Sequence, residues 1–185
     1  MGNRRLSRKR LYQVEKAGQS IDLESGLGIK DAVVSASQHR QGQELITEIA
    51  IDLGTSKAAI IGGNTDTNAI GASGKEAHIT RLTTAKFGII TEVRAVVVEQ
   101  ASGDVNNLDL ETKSSSTVNT GDAPGTPLIA DLTVVGTDTS VGKDDNSLAD
   151  EFLFVCSGVG SGSGAAMTGG KLLIYIHGFE APADL

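Results

Sequence analysis

The sequence contains no tryptophan, one cysteine and three prolines, and aromatic residues make up only 3% of its 185 positions. One cysteine excludes an intrachain disulfide and a thiolate metal cluster built from a single chain. No run approaches the roughly 20 apolar residues that span a bilayer, and the basic first residues lack the apolar segment of a signal peptide. We therefore expect no membrane partner and a core made mostly of Ile, Val, Leu and Ala.

Apolar residues alternate with polar ones in several short segments, which is the period of half-buried β-strands. Residues 44–53 and 87–99 are the strongest examples, and the second is rich in β-branched residues that favour strands. One face of the first segment contains Leu45, Thr47, Ile49, Ile51 and Leu53. One face of the second segment contains Ile89, Thr91, Val93, Ala95 and Val97. Further strands are expected at residues 20–23, 33–37, 57–61, 77–82, 108–112, 152–156 and 171–179, and 128–135 could be a strand or a short helix.

Glycine, serine, asparagine and aspartate separate these segments, and the chain has 23 glycines. We interpret residues 62–76, 113–127, 137–147 and 158–170 as loops, and residues 37–42 as a polar turn that contains His39. Long loops between short strands are typical of crossovers in sandwiches. The sequence therefore predicts an all-β fold, a jelly-roll-like or Greek-key sandwich or barrel, with one domain over residues 20–185 and an extended arm over residues 1–19.

The motifs of known chemistries are missing or incomplete. The glycine-rich tract before Lys171 lacks the spacing of a phosphate loop and precedes a strand. The three histidines, His39, His78 and His177, do not have metal-site spacing. Residues 144–146 could offer oxygen atoms to Ca²⁺, but without the EF-hand pattern a solvated loop is the simpler interpretation. We predict no metal, no cofactor and no enzymatic activity.

Three residues that could carry chemistry also have simpler structural roles. Asp109 and Glu111 share a strand face, but nothing nearby resembles a sugar-binding platform. Cys156 lies in an apolar run and is expected to be buried. His177 shares a face with Leu173 and Tyr175, so it is expected to be a partly buried sheet residue or to face a subunit interface.

The first sixteen residues are strongly basic. They contain six of the sixteen Lys and Arg residues and one acid, a charge of +5, whereas the rest of the chain carries −12 because the whole carries −7. Docking on a protein, contact with nucleic acid phosphates and a solvated tail are three possible uses of such an arm. Apolar residues between the charges favour docking on a protein, and we expect these residues to carry it: Arg4, Arg5, Leu6, Arg8, Lys9, Arg10, Leu11, Tyr12 and Val14.

Four stretches together, residues 4–12, 39–42, 46–49 and 167–175, resemble small virion proteins of marine tailed phages. The resemblance covers most of the chain and implies a structural protein of the particle. The size, the strand content and the arm best match head decoration (cement) proteins, which are commonly trimeric β-sandwiches or barrels on the capsid exterior. The resemblance supplies no catalytic residues.

These observations predict a capsid decoration protein that binds the major capsid protein through its arm and associates with itself, as a trimer. A different virion component, such as a tail, fibre or portal-vertex protein that attaches through residues 62–76 and 113–127, is the main alternative. A nucleic-acid-binding β-barrel is a third interpretation, although a body of −12 repels polyanions.

Overall fold

The structure of the chain is a computed structural model. The structure describes residues 18–29, 34–53, 69–72, 75–102, 107–117, 126–132, 136, 138–142, 148–157 and 169–180. Its elements are β1 (Gln19–Ser20), β2 (Val34–Gln41), β3 (Glu44–Asp52), β4 (Gly71–Ala72), β5 (Lys75–Glu76), β6 (Thr80–Arg81), α1 (Thr84–Phe87), β7 (Ile89–Ser102), β8 (Leu108–Lys113), β9 (Thr126–Leu132), β10 (Asp138–Gly142), β11 (Phe152–Ser157) and β12 (Gly169–Phe179).

The strands form two antiparallel sheets and one small ribbon. The larger sheet has six strands in the order β1-β2-β3-β12-β7-β10, and the smaller has four in the order β6-β11-β8-β9. β4 and β5 pair with each other. The all-β prediction is confirmed.

The core lies between the two sheets. β3, β7 and β12 of the larger sheet contribute alternate side chains such as Ile49, Val93 and Ile174, and the smaller sheet contributes residues such as Leu110 and Leu153, all 0% exposed. Burial of aliphatic side chains contributes about 1.5–3 kcal/mol each, so this layer is the main source of stability. It contains one aromatic residue, Phe87, as the composition required.

The hairpin of β2 and β3 shows how local sequence sets the register. Gln41 pairs with Glu44, so Gly42 and Gln43 form a two-residue turn. Gly42 has φ +67°, the positive value that glycine tolerates at the first position of a type II′ turn. This turn aligns Ala36 with Ile49 and Val34 with Ile51, which brings their apolar side chains to the core face.

Three predictions in the larger sheet were wrong in detail. His39 does not lie in a turn, because β2 continues to Gln41. Asp138–Gly142 is not part of a loop but an edge strand paired with β7. The first strand is shorter than predicted, since β1 ends at Ser20.

The face assigned to the start of the second strong strand was also wrong. Phe87 belongs to α1, and β7 begins at Ile89. Ile90 is buried whereas Ile89 is 38% exposed, since the pairing with β12 shifts between His177 and Gly178. A bulge inserts one residue and reverses the side-chain alternation beyond it, an effect that alternation alone does not predict.

Other boundaries also moved. Ala69 and Ile70, predicted to lie in a surface loop, are buried; Ala69 bridges to Cys156. The strand predicted at 77–82 is only Thr80–Arg81, and residues 128–132 belong to a strand rather than a helix. The strand predicted at 57–61 lies outside the described residues.

Candidate docking surface

The face of the larger sheet that points away from the core is a mosaic of apolar and charged side chains. It is formed by alternate residues of the three central strands, with one extra residue before Glu99 where the pairing of β7 with β12 shifts, and is called the outer face below. Its members are Glu44, Ile46, Glu48, Ala50 and Asp52 of β3, Lys171, Leu173, Tyr175, His177 and Phe179 of β12, and Glu92, Arg94, Val96 and Glu99 of β7. In the described part of the chain, the smaller sheet packs against the opposite, core-facing side.

The central strand of this face carries an apolar and aromatic ridge. Leu173, Tyr175 and His177 are half-buried, and Phe179 is 44% exposed beside Ile89, its register partner. The sequence alternates along β12, so Leu172, Ile174 and Ile176 enter the core while this ridge faces outward. Aromatic side chains on an open face are typical of the centre of protein–protein interfaces.

Carboxylates lie on both sides of the ridge. Glu48 of β3 pairs with Tyr175, and Glu92 of β7 pairs with His177. Among the described residues neither of these glutamates takes part in an ion pair. With five acids and two basic residues, the outer face has a net charge of −3 when histidines are neutral.

Other charges of the outer face are paired within it. His177 Nδ1 lies 2.8 Å from Glu44 Oε1. Lys171 Nζ donates to Glu99 Oε2 at 2.8 Å, and this hydrogen bond and charge raise the pKa of Lys171. Arg94 stacks over Tyr175, 5.5 Å from the ring centre. The contacts of His177 and Tyr175 restrict these two ridge side chains, which lowers the entropy that they lose when a partner binds.

The histidines are separated, as the sequence predicted. His177 is partly buried on the outer face, which confirms its sheet position. His39 lies on β2 in the same row, with Ile46 between the two. His78 lies elsewhere: its ring packs 4.8 Å from that of Phe152, and burial lowers its pKa although backbone groups of Glu24 and Ser116 oppose the shift.

The smaller sheet buries two carboxylates and the thiol. Asp109 is 4%, Glu111 1% and Cys156 0% exposed, and Cys156 pairs with Asp109 across β8 and β11. Burial, then the charges of Glu111 and Asp109, raise the pKa of the Cys156 thiol well above its ordinary value. A protonated, enclosed thiol is a poor nucleophile and metal ligand. The predicted burial of Cys156 is confirmed.

Asp109 is held by a local network. The backbone N–H of Asp131 donates to Asp109 Oδ1 at 2.8 Å, and Asn107 Nδ2 donates to Asp131 Oδ1 at 3.0 Å. Burial raises the pKa of Asp109, the N–H bond from Asp131 opposes this, and the Asp131 charge raises it further. The folded pKa therefore exceeds the unfolded value, so Asp109 favours folding most at low pH and less as pH rises through the folded value.

Asp109→Asn is expected to increase thermal stability at pH 7, because the amide oxygen can still accept the Asp131 N–H bond while the buried charge disappears. Each kcal/mol gained raises Tm by about 2–4 °C for a chain of this size. The gain should shrink as the pH is lowered and the wild-type carboxyl becomes protonated, because the pKa of Asp109 is raised. Thermal melts from pH 4 to pH 8 measure both effects.

Asp22→Asn is the matched control, since Asp22 is exposed and its Oδ1 also accepts a backbone N–H, from Glu24 at 2.8 Å. This control should show no gain at pH 7. A lower Tm for Asp109→Asn at pH 7 would show that the hydrogen bond to the charged form outweighs the penalty of burial.

A groove of about 620 Å³ opens beside the edge of the larger sheet. Its described lining residues are Ser20–Ser25, Ile29 and Val34–Ala36, and none of these has a basic or histidine side chain. Asp22 and Glu24 give this part of the groove an acidic rim, which disfavours phosphate and other anions. Nothing in the described lining indicates a particular ligand.

The nine residues predicted to dock on a partner all lie outside the described part of the chain, as do residues 144–146. Within the described ranges, no group of three or more His, Cys, Asp or Glu side chains could hold a metal ion. The described part likewise contains no helix of the length and apolarity that a membrane crossing needs.

The sequence predicted only part of the outer face. Alternation placed Ile46, Glu48, Ala50 and Asp52 on one side of β3, but it could not show which strands lie beside β3. The register of β12 between β3 and β7 provides that information. No protein-family model matches the chain, and neither a curated protein nor a solved structure matches it significantly.

Proposed function

We propose that this protein is a structural component of a tailed-phage particle, a decoration (cement) protein that binds the major capsid protein on the capsid exterior and stabilises the head. Two features of the chain support the proposal in combination. One is the outer face, which is aromatic and charged. The other is the basic arm with interspersed apolar residues, which precedes the edge strand of the same sheet in the sequence. Both features serve protein–protein contact rather than chemistry.

The rest of the described chain supports a structural role. Its candidate chemical groups, Asp109, Glu111 and Cys156, are enclosed in the smaller sheet, where a substrate does not reach them. A two-sheet body with an aliphatic core needs no cofactor to fold. Repeated weak contacts of such a body over a symmetric lattice add up to tight attachment by avidity.

Charge separates this proposal from nucleic acid binding. The chain beyond the first sixteen residues carries −12, and the outer face contributes a net −3. A polyanion would gain contacts from the arm and be repelled by the body. A protein partner can meet the arm and the body with different surfaces.

The test uses capsids assembled from the major capsid protein encoded in the same genome. The full-length chain is expected to sediment with these capsids and to saturate at a copy number on the order of hundreds per particle, as symmetric lattice sites require. Saturation in the tens or below, on particles with tails, would favour a tail or vertex component instead. Failure to sediment at any concentration below about 10 μM would overturn the proposal.

A further inference from the structure

The outer face and the arm are complementary in charge. The arm carries +5 over sixteen residues, and the outer face carries −3. Glu48 and Glu92 lie on opposite sides of the ridge and, within the described chain, no ion pair engages them. Cations placed near such carboxylates gain charge-assisted hydrogen bonds.

The two surfaces are also complementary in hydropathy. Leu6, Leu11, Tyr12 and Val14 are interspersed among the basic residues of the arm. The ridge on β12 offers Leu173, Tyr175 and Phe179 between its flanking carboxylates. An extended segment can therefore lay apolar side chains on the ridge and direct its charges to either side.

The direction of β1 indicates which copy the arm reaches. β1 runs antiparallel to β2, with Ser20 opposite Ser37 and Gln19 opposite Gln38. From Ser20 back to Gly18 the described chain therefore heads toward the end of β2 that carries Gln41 and the β2–β3 turn. Gly18 lies close to Ser37 of β2, because a Cβ atom at Gly18 would lie 3.2 Å from Ser37 Cβ. Ser37 is on the outward side of β2.

The arm is long enough to contact another copy. Sixteen extended residues reach about 50 Å, whereas the three strands of the outer face lie within about 10 Å of one another across the sheet, at two spacings of about 4.8 Å. Strands of nine to eleven residues give the face a length of about 30 Å. An extended arm can therefore follow the whole length of this face on a neighbouring copy.

We propose that the arm of one copy, residues 1–16, binds the outer face of a second copy, so that the protein free of capsids is an oligomer linked by its arms. An arm that continued in the direction of residues 20 to 18 would reach a neighbour without reversing. Such head-to-tail contacts close into a ring when the rotation between copies allows it. The inference concerns the free protein and does not require the capsid to be the final partner.

Sedimentation velocity of the full chain provides the first test. The wild-type protein is expected to be oligomeric at micromolar concentration, and deletion of residues 1–16 should give a monomer. Glu48→Lys with Glu92→Lys should weaken association at least 10-fold by removing the acceptors of the arm's charges. An oligomer that survives the deletion overturns the proposal.

Glu24→Lys with Glu151→Lys is the matched control. It changes the net charge by the same amount, from −7 to −3, but the exposed Glu24 pairs with the largely buried Lys86 away from the outer face, and Glu151 directly precedes β11 of the smaller sheet. Association of this variant should equal that of the wild type. Equal weakening in both variants would point to overall charge and overturn the assignment to the outer face.

Disulfide trapping identifies the copy that is contacted. The native Cys156 is buried, so Leu11→Cys in one tagged chain and Val96→Cys in another report the contact when the two are mixed under mild oxidation. A linked heterodimer supports the proposal, and Leu27→Cys, fully exposed and off the outer face, should link far less. An intrachain link alone in the Leu11→Cys/Val96→Cys double variant, or no link, overturns it.

These results are independent of the capsid experiment. A monomeric wild-type protein that still sediments with capsids would reject arm exchange and leave the decoration role intact. An arm-linked oligomer that does not bind capsids would reject the decoration role and leave arm exchange intact.

Discussion

Gly178→Ala is expected to prevent the protein from folding stably, although it adds a single methyl group. Gly178 lies near the end of β12, where the strand passes the backbone of α1 and the start of β7. A Cβ atom there would overlap the carbonyl oxygen of Phe87 and lie 3.1 Å from its carbonyl carbon and 3.2 Å from Ile89 O. Glycine inside a strand often marks such a close backbone approach.

The expected cost follows from what must move. The obstructing atoms belong to the backbone, so no flexible side chain can move aside, and β12 is the strand that joins β3 to β7. Strain of this kind exceeds about 4 kcal/mol, a large part of the roughly 5–15 kcal/mol that stabilises a typical domain. Urea unfolding followed by circular dichroism measures it.

Gly42→Ala is the matched control because it makes the same chemical change in the β2–β3 turn. Gly42 has φ +67° and nothing within 4 Å of a Cβ atom, so the cost is only that of a positive φ for alanine, about 1–3 kcal/mol. If both variants lose similar stability, the close approach at Gly178 does not have the importance assigned to it.

Deletion of residues 1–16 is expected to abolish capsid binding while leaving the body folded. The deletion removes six basic side chains and the four apolar residues predicted to dock, and we expect capsid affinity to fall at least about 100-fold, or about 2.7 kcal/mol. Co-sedimentation with capsids over a range of concentrations measures the loss.

The body should keep its stability because the deletion does not reach it. β1 begins at Gln19, and the buried core residues of the described chain begin at Leu23. The Tm of the truncated chain is therefore expected to lie within about 2 °C of the wild-type value. If the truncated, folded chain decorates capsids normally, the arm is not the docking element.

Two further variants separate the contributions of charge and of apolar contact. Replacing the six basic residues by glutamine tests steering and ion pairing, which are sensitive to salt. Replacing Leu6, Leu11, Tyr12 and Val14 by serine tests the anchors, whose contribution is much less sensitive to salt. We expect both to weaken capsid binding, and only the first to reduce the dependence of binding on ionic strength.

The sequence predicted strands where alternation was long and uninterrupted. Residues 44–52 and 171–179 alternate without a break, so their core-facing and outward-facing residues followed from the period of two. Prediction failed where the signal was short or broken. Asp138–Gly142 is too polar to be predicted as a strand from its own sequence. It forms a strand because it pairs with the free edge of β7.

One part of the candidate docking surface could be predicted from the sequence and the other could not. Its arm was visible in the sequence as a cluster of charge, which composition alone reveals. Its outer face was not, because Glu48, Tyr175 and Glu92 are far apart in sequence and become neighbours through the pairing of β12 with β3 and β7.

By itself the sequence determined the all-β class, the aliphatic core, the solitary buried thiol and the basic arm, since each depends on composition or on local periodicity. The tertiary structure decided the strand order, the bulge that exposes Ile89, the burial of Asp109 and Glu111, and the mosaic of the outer face. These features depend on which distant segments meet and in which register, and a shift of one residue would move every side chain of a strand to the other face.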